Sequence, residues 1–237
     1  MRKKTKTRII SALLAATMFL TGGLLKGKQN DTQEPEEEPI KVEEVVDEDN
    51  ITEVYNFGYI TYDTPLYDIN MNEIGLIDKY QKVYVYKVKD DIAMVHYFGE
   101  DNMQIGYVYA DIIELLPETF VEVDISDQLV RLYKDSKMIL ATKTVTGKPA
   151  SPTNEGYFGL TYKEKDTYLV GPGYRSHVDY WMPFDGGIGL HDADWRSKFG
   201  EEIYLTKGSH GCVNLPKKAA RTIYENVNTG SKVLVHR

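Results

Sequence analysis

The chain has 237 residues, of which 42% are hydrophobic, 11% aromatic and 27% charged, with a formal net charge of -8. That length allows one or two domains with a buried core, and the mixture excludes both a wholly disordered chain and a polytopic membrane protein. The mild acidity of residues 51–237 gives no clustered basic surface, so nucleic acid is excluded as a partner.

The charge is distributed in blocks. Residues 1–30 carry seven Lys or Arg and no acid, whereas residues 31–50 carry ten acids and one Lys. Arg2, Lys3, Lys4, Lys6 and Arg8 precede an apolar run from Ile9 to Leu25. At 1.5 Å per residue this run makes a helix of about 25 Å, against a hydrocarbon core of about 30 Å. Residues 1–29 therefore read as a signal or anchor segment that contacts the membrane through residues 9–25. The basic excess holds the leading end in the cytoplasm, so everything after Leu25 is expected to be exported, at the extracellular face of the membrane or in the cell wall. Residues 30–50, including Glu34-Pro35-Glu36-Glu37-Glu38-Pro39, repel one another and offer little apolar surface. They read as an acidic disordered tether.

Five short alternating runs follow within residues 51–117: Tyr59–Tyr62, Glu73–Ile77, Lys82–Val88, Ile92–Tyr97 and Ile105–Tyr109. Turn signals separate them, at Asp63-Thr64-Pro65, Asp68-Ile69-Asn70, Lys89-Asp90-Asp91 and Gly99-Glu100-Asp101-Asn102. The pattern predicts a small barrel. The stretch from Gly75 to Val85 and the phrase Ile105-Gly106-Tyr107-Val108-Tyr109 resemble bacterial SH3-like domains, and the resemblance implies a module that binds the cell wall or spaces the domain beyond it.

Cys212 is the single cysteine. In an exported chain it has no partner for an internal disulfide, and an exposed thiol in an oxidising space is a liability unless it has a use. It lies in Ser209-His210-Gly211-Cys212-Val213-Asn214. A glycine before a nucleophile permits a tight turn and leaves peptide N–H groups uncovered, able to point at an oxyanion. A thiol of pKa about 8.5 needs an imidazole to take its proton at neutral pH. Two imidazoles compete. His210 is two positions away. His191 closes Gly186-Gly187-Ile188-Gly189-Leu190-His191-Asp192, an apolar alternation that predicts a strand beside the one carrying Cys212. Spacing alone does not choose between them.

His191, followed after 17 residues by Ser209-His210-Gly211-Cys212-Val213-Asn214, resembles the signature of L,D-transpeptidase catalytic domains of the YkuD type. The resemblance spans roughly Thr119–Arg237 and includes Val121-Glu122-Val123-Asp124, Leu129-Val130-Arg131-Leu132-Tyr133, Val145-Thr146-Gly147-Lys148-Pro149, Thr153-Asn154-Glu155-Gly156-Tyr157-Phe158 and Trp181-Met182-Pro183-Phe184. Where family members often carry Thr-Pro-Thr-Gly, this chain has Thr153-Asn154-Glu155-Gly156. The resemblance implies a β-sandwich with a short helix over residues 118–237. It makes Cys212 the nucleophile and His191 the base, oriented by the backbone carbonyl of Asp192, whose side chain is left idle. His210, Gly211 and Cys212 supply oxyanion N–H groups, and Ser209 and Asn214 brace the loop. The implied reaction joins two peptidoglycan stem peptides by a 3→3 cross-link, through a cysteine thioacyl intermediate and with release of D-alanine. It requires no cofactor and no metal. The alternative is an L,D-carboxypeptidase that hydrolyses the same tetrapeptide stem with the same residues.

Trp195, Tyr180, Trp181 and Met182 are placed to wall the cleft and hold the stem. Arg175, Arg196, Lys198 and Lys207 flank the motifs and read first as solvated surface charge, with contact to stem carboxylates as the second reading. A zinc site from His191, His210 and Cys212 lacks the paired ligand spacing of structural zinc. A papain-like wall peptidase would place Cys before His, the reverse of the order here. His96 and His236, in apolar strand patterns, read as structural residues. The mostly β reading admits one short helix from Leu215 to Tyr224, with Pro216 near its first turn, and a last strand at Lys232–Val235.

Overall fold

The computed structural model describes residues 50–98, 103–171 and 173–237. The expected anchor, and the tether up to Asp49, lie outside the described residues, as does the expected turn at 99–102. Among the described residues no helix is long and apolar enough to cross a membrane. Residues 51–237 form one compact unit.

Its leading part is a seven-stranded antiparallel sheet. The strands are β1 (Ile51–Ile60), β2 (Thr64–Tyr67), β3 (Glu73–Ile77), β4 (Lys82–Lys89), β5 (Ile92–Phe98), β6 (Met103–Tyr109) and β7 (Ile113–Leu115), with a 3-10 turn at Ala110–Ile112 before the last. They lie in the order β3-β2-β6-β5-β4-β1-β7. Alternate residues turn inward: Ile60, Leu66, Ile77, Val83, Val85, Ala93, Val95 and Val108 form one buried cluster. Burying such side chains stabilises by about 1.5–3 kcal/mol each for the larger ones, which is what fixes the register.

Two of the expected boundaries are corrected. The first strand starts at Ile51 and ends at Ile60, because Glu53, Asn56 and their neighbours pair with β4 across a bulge while Gly58–Ile60 also pair with β7. Thr64 and Pro65, expected as a turn, belong to β2. Pro65 is tolerated there because β2 pairs with β6 only at Tyr67, so the missing N–H is not required on that flank.

Residues 118–237 carry two further sheets around a shared core. One is five-stranded, in the order β10-β9-β8-β16-β11, and the other four-stranded, in the order β12-β13-β14-β15. In chain order the elements are β8 (Phe120–Asp124), β9 (Leu129–Lys134), β10 (Lys137–Lys143), β11 (Gly156–Gly159), β12 (Glu164–Gly171), β13 (Tyr174–Asp185), β14 (Ile188–Asp192), α1 (Ile203–Lys207), β15 (Val213–Leu215), α2 (Lys217–Asn226) and β16 (Lys232–His236). Val121, Val123, Leu132 and Val235 of the first sheet meet Met182, Phe184, Leu190 and Val213 of the second. The arrangement is the expected β-rich sandwich. The expected helix starts two residues late. Leu215 pairs with Asp192 as part of β15, so α2 begins after Pro216, and Ala219, Ala220 and Ile223 turn one face onto the core. Helix α1 was not anticipated.

The two parts share a seam. Tyr59 packs with Leu116, Phe120, Tyr133 and Leu234, and the Tyr59 and Tyr157 rings stand 4.7 Å apart. Beside them Lys82 of β4 reaches into the sandwich and bonds Glu122 at 2.5 Å and the Tyr133 hydroxyl at 2.8 Å. Glu122 also accepts from Arg131 and His236, each at 3.1 Å. Its carboxyl is held well below the ordinary range: the imidazole of His236 and the charges of Lys82 and Arg131 overcome the burial that would raise it. Glu122, Asp124 and His236 bring ligand-type atoms within 4.8 Å, but Lys82 and Arg131 already neutralise this cluster.

Candidate active site

A two-residue Gly186-Gly187 turn folds β14 back on β13, setting Trp181 opposite His191. On its other side β14 runs parallel to β15, with His191 opposite Asn214. Cys212 is the residue immediately before β15, in the loop that descends from α1. Sequence alternation thus places His191 and Asn214 side by side, with the thiol entering at the head of the neighbouring strand.

The His191 ring is buried, at 2% exposure. Its Nδ1–H donates to the Asp192 carbonyl at 2.7 Å, which leaves Nε2 as the accepting nitrogen. The rings of Trp181 and Trp195 stand 5.9 and 5.7 Å from it. With the Asn214 amide turned so that both its ends are satisfied, its nitrogen donates to His191 Nε2 at 3.0 Å. Its oxygen then accepts from Arg196 Nη2 at 3.0 Å and Nε at 3.2 Å. Arg196 Nη2 also donates to the Lys207 carbonyl at the end of α1. Arg196 is therefore half-buried and bonded rather than solvated.

The half-buried Cys212 thiol donates to the Gly187 carbonyl at 3.6 Å, and in this structure it is not hydrogen-bonded to His191. Burial pushes the thiol up, against a smaller downward pull from the Gly189 backbone. Burial likewise pushes the His191 imidazole below its usual 6.5, partly opposed by the Asp192 carbonyl and the Asp192 charge. Both shifts favour uncharged partners, so the resting site is a thiol beside a neutral imidazole.

The loop before β15 is tied on two sides. Ser209 Oγ donates to the Cys212 carbonyl at 2.5 Å and accepts from the Gly211 N–H at 3.1 Å. Residues 144–148 bond the loop backbone, through Ser209 to Thr146 and Lys148 and through Asn214 to Val145. Thr153 Oγ1 accepts from the Gly147 N–H and donates to the Gly211 carbonyl. Gly147 has no room for a side chain: a Cβ there would lie 2.3 Å from the Ser151 carbonyl oxygen. Gly211 has φ +119°, a conformation that side chains strain.

The sequence-predicted residues divide. Cys212, His191, Asp192, Ser209, Gly211 and Asn214 converge at the junction of β14 and β15. His210 is exposed and stacks on Tyr174, with ring centroids 5.5 Å apart. Three expectations are corrected. The Gly211 N–H is committed to Ser209 Oγ, which leaves the backbone of His210 and Cys212 for an oxyanion. The Asp192 side chain is not idle: its carboxylate accepts from the backbone N–H groups of Tyr180 and Asp179 at 2.8 and 3.2 Å, locking β13 to β14. Met182 is fully buried in the sandwich core, and Tyr180 packs on Tyr224 of α2, so neither stands beside His191. Alternation along β13 sends 180, 182 and 184 one way and Trp181 the other. Sequence reasoning missed the Arg196 link to Asn214, because nothing local in the chain marks a guanidinium that folds back across 18 residues.

The family model for the YkuD L,D-transpeptidase catalytic domain matches residues 118–235. L,D-transpeptidase 2 of Mycobacterium tuberculosis (strain CDC 1551 / Oshkosh) is 30% identical over 149 residues, 58% of this chain and 34% of that protein, so the match spans about a third of its length. The crystal structure of a mutant Enterococcus faecium L,D-transpeptidase is 29% identical, with a TM-score of 0.51 over 76% of each chain. The Ldtfm–avibactam carbamoyl enzyme is 30% identical, with a TM-score of 0.51 over 76% of this chain and 75% of that one. With its motif residues gathered at the β14–β15 junction and these relatives sharing its sandwich, the chain belongs to the L,D-transpeptidase family, its YkuD catalytic domain lying at residues 118–235.

Proposed function

We propose that the protein is a peptidoglycan L,D-transpeptidase that forms 3→3 cross-links through a thioacyl enzyme on Cys212. The observation that carries this reading is the buried neutral His191, fixed in one tautomer by the Asp192 carbonyl, one strand away from the chain's single thiol. In the first step Nε2 takes the Sγ proton as sulfur attacks the carbonyl of the third stem residue. The bond to D-alanine breaks, and the imidazolium returns its proton to the departing amine. In the second step the side-chain amine of another stem attacks the thioester, His191 takes a proton from that amine, and sulfur leaves as the thiol. The backbone N–H groups of His210 and Cys212 face the developing oxyanion in this scheme. The exposed Trp195, on the rim beside His191, lies against the stem.

The rest of the chain suits a wall enzyme. Residues 9–25 hold it at the membrane, residues 30–50 span the gap, and the seven-stranded unit serves as an SH3-like wall-binding module. The catalytic domain then works on the extracellular face. The full chain incubated with a disaccharide-tetrapeptide is expected to yield cross-linked dimers and free D-alanine by mass spectrometry. Cys212→Ala abolishes both. Tripeptide without dimers would instead establish the hydrolytic L,D-carboxypeptidase. Avibactam is expected to add its mass to the wild-type chain and leave Cys212→Ala unmodified.

A further inference from the structure

In the resting geometry the base is already occupied. The nitrogen of His191 that must receive the Cys212 proton accepts instead from the Asn214 amide, and that amide is held in place by two bonds from Arg196. We propose that Arg196 and Asn214 form a clamp that keeps His191 masked in the free protein, and that a carboxylate of the donor stem opens it by drawing Arg196 away. The proposal rests on the reading of Cys212 and His191 as nucleophile and base.

The chemistry follows from what each group touches. The Asn214 backbone is fixed by Val145 on both its N–H and its carbonyl, so the residue can respond only by rotating its side chain. An amide whose oxygen is bonded twice to a guanidinium has its N–H₂ aimed at Nε2 and polarised toward it. Arg196 lies between two environments. One side bonds Asn214, the other reaches the Lys207 carbonyl, and its neighbours Trp195 and Ser197 are exposed. A carboxylate offers a guanidinium two charge-assisted bonds, stronger than those from an amide oxygen and a carbonyl. When Arg196 turns to a carboxylate, the Asn214 oxygen loses its partner and the amide swings off Nε2. The proton on Sγ then passes to Nε2, giving thiolate and imidazolium, while Nδ1–H stays on the Asp192 carbonyl. The other charged groups near the ring do not mask Nε2. The Asp192 carboxylate bonds the backbone of β13, and Asp179 and Asp194 share Lys217. The clamp makes cysteine activation depend on a bound donor, which protects an exported thiol from adventitious electrophiles.

The test reads thiol reactivity without substrate. The full chain is treated with iodoacetamide at pH 7 and the modification of Cys212 followed by mass spectrometry. Wild type and Arg196→Lys react slowly. Arg196→Met and Asn214→Ala, confirmed folded by circular dichroism, react roughly tenfold faster, the equivalent of one pKa unit in the thiol–imidazole equilibrium. Arg196→Met, which cannot respond to a carboxylate, also loses the wild type's preference for a tetrapeptide stem over the same stem with its carboxyl groups amidated. Alkylation in both variants no faster than in wild type would overturn the clamp, and a preference retained by Arg196→Met would overturn its opening by carboxylate. Faster alkylation without any cross-linked or trimmed stem in wild type would leave the clamp standing and remove the transpeptidase reading.

Discussion

At the scale of single residues, the site is built to keep charge off both reacting partners. His191 is buried between two tryptophans with one nitrogen fixed on the Asp192 carbonyl, and burial holds its imidazole below the usual 6.5. A base must be neutral to accept a proton, so activity is lost only as the pH falls through this lowered value. The acid limb of kcat/KM for stem cross-linking is therefore expected to have its midpoint below pH 6.5, and a midpoint above it would contradict the buried neutral base. The same shift acts on stability. An unfolded His191 binds a proton near pH 6.5 while the folded one does not, so its contribution is full above 6.5 and declines as the pH falls below it.

At the scale of elements, hydrogen-bonded pairs between distant strands decide what local sequence leaves open. The glycines of the loop before Cys212, the Gly186-Gly187 turn and the apolar alternation of β14 are local signals, and each carries its meaning in a few neighbouring residues. The position of Met182 was legible in principle, since a strand cannot aim Tyr180, Trp181 and Met182 at one cleft. Strand β2 was hidden by its proline, and α1 by its short length. Lys82 and Glu122 gave no local sign at all, because they are 40 residues apart and their pairing exists only once β4 docks on β8. That pair carries a directional expectation. Glu122→Gln leaves Lys82 buried with the Tyr133 hydroxyl as its remaining partner at hydrogen-bonding distance, and should cost about 3–5 kcal/mol in denaturant unfolding. Lys82→Met leaves Glu122 still bonded to Arg131 and His236, so its loss should stay under about 2 kcal/mol. The order of the two losses is the decisive reading. Glu122 ionises below its usual 4.5, so its stabilisation is full above that value and is lost as acid protonates it, and Glu122→Gln should flatten the acid side of the stability curve.

At the scale of the whole molecule, residues 51–237 are joined by more than a linker, and this determines how they unfold. The seam holds Tyr59, Leu116, Phe120, Tyr133 and Leu234, of which three belong to the sandwich and would face water if the leading sheet were removed. Gln81 of the leading sheet bonds the carbonyl of Arg237 at the far end of the chain, and Asn56 bonds that of Leu116. An isolated sandwich would also leave Glu122 without Lys82. The two parts should then melt as one cooperative unit. Both tryptophans, Trp181 and Trp195, lie in the sandwich, while tyrosines crowd the leading sheet, so tryptophan fluorescence and near-ultraviolet circular dichroism report the two parts separately. Their midpoints are expected to coincide for residues 51–237. Residues 118–237 alone should melt at least about 10 °C lower, given that each kcal/mol shifts the midpoint by several degrees in a domain of this size. Separate midpoints, or a sandwich as stable alone as in the whole unit, would mean that the seam is a contact without energetic weight and that the leading sheet is a tethered neighbour.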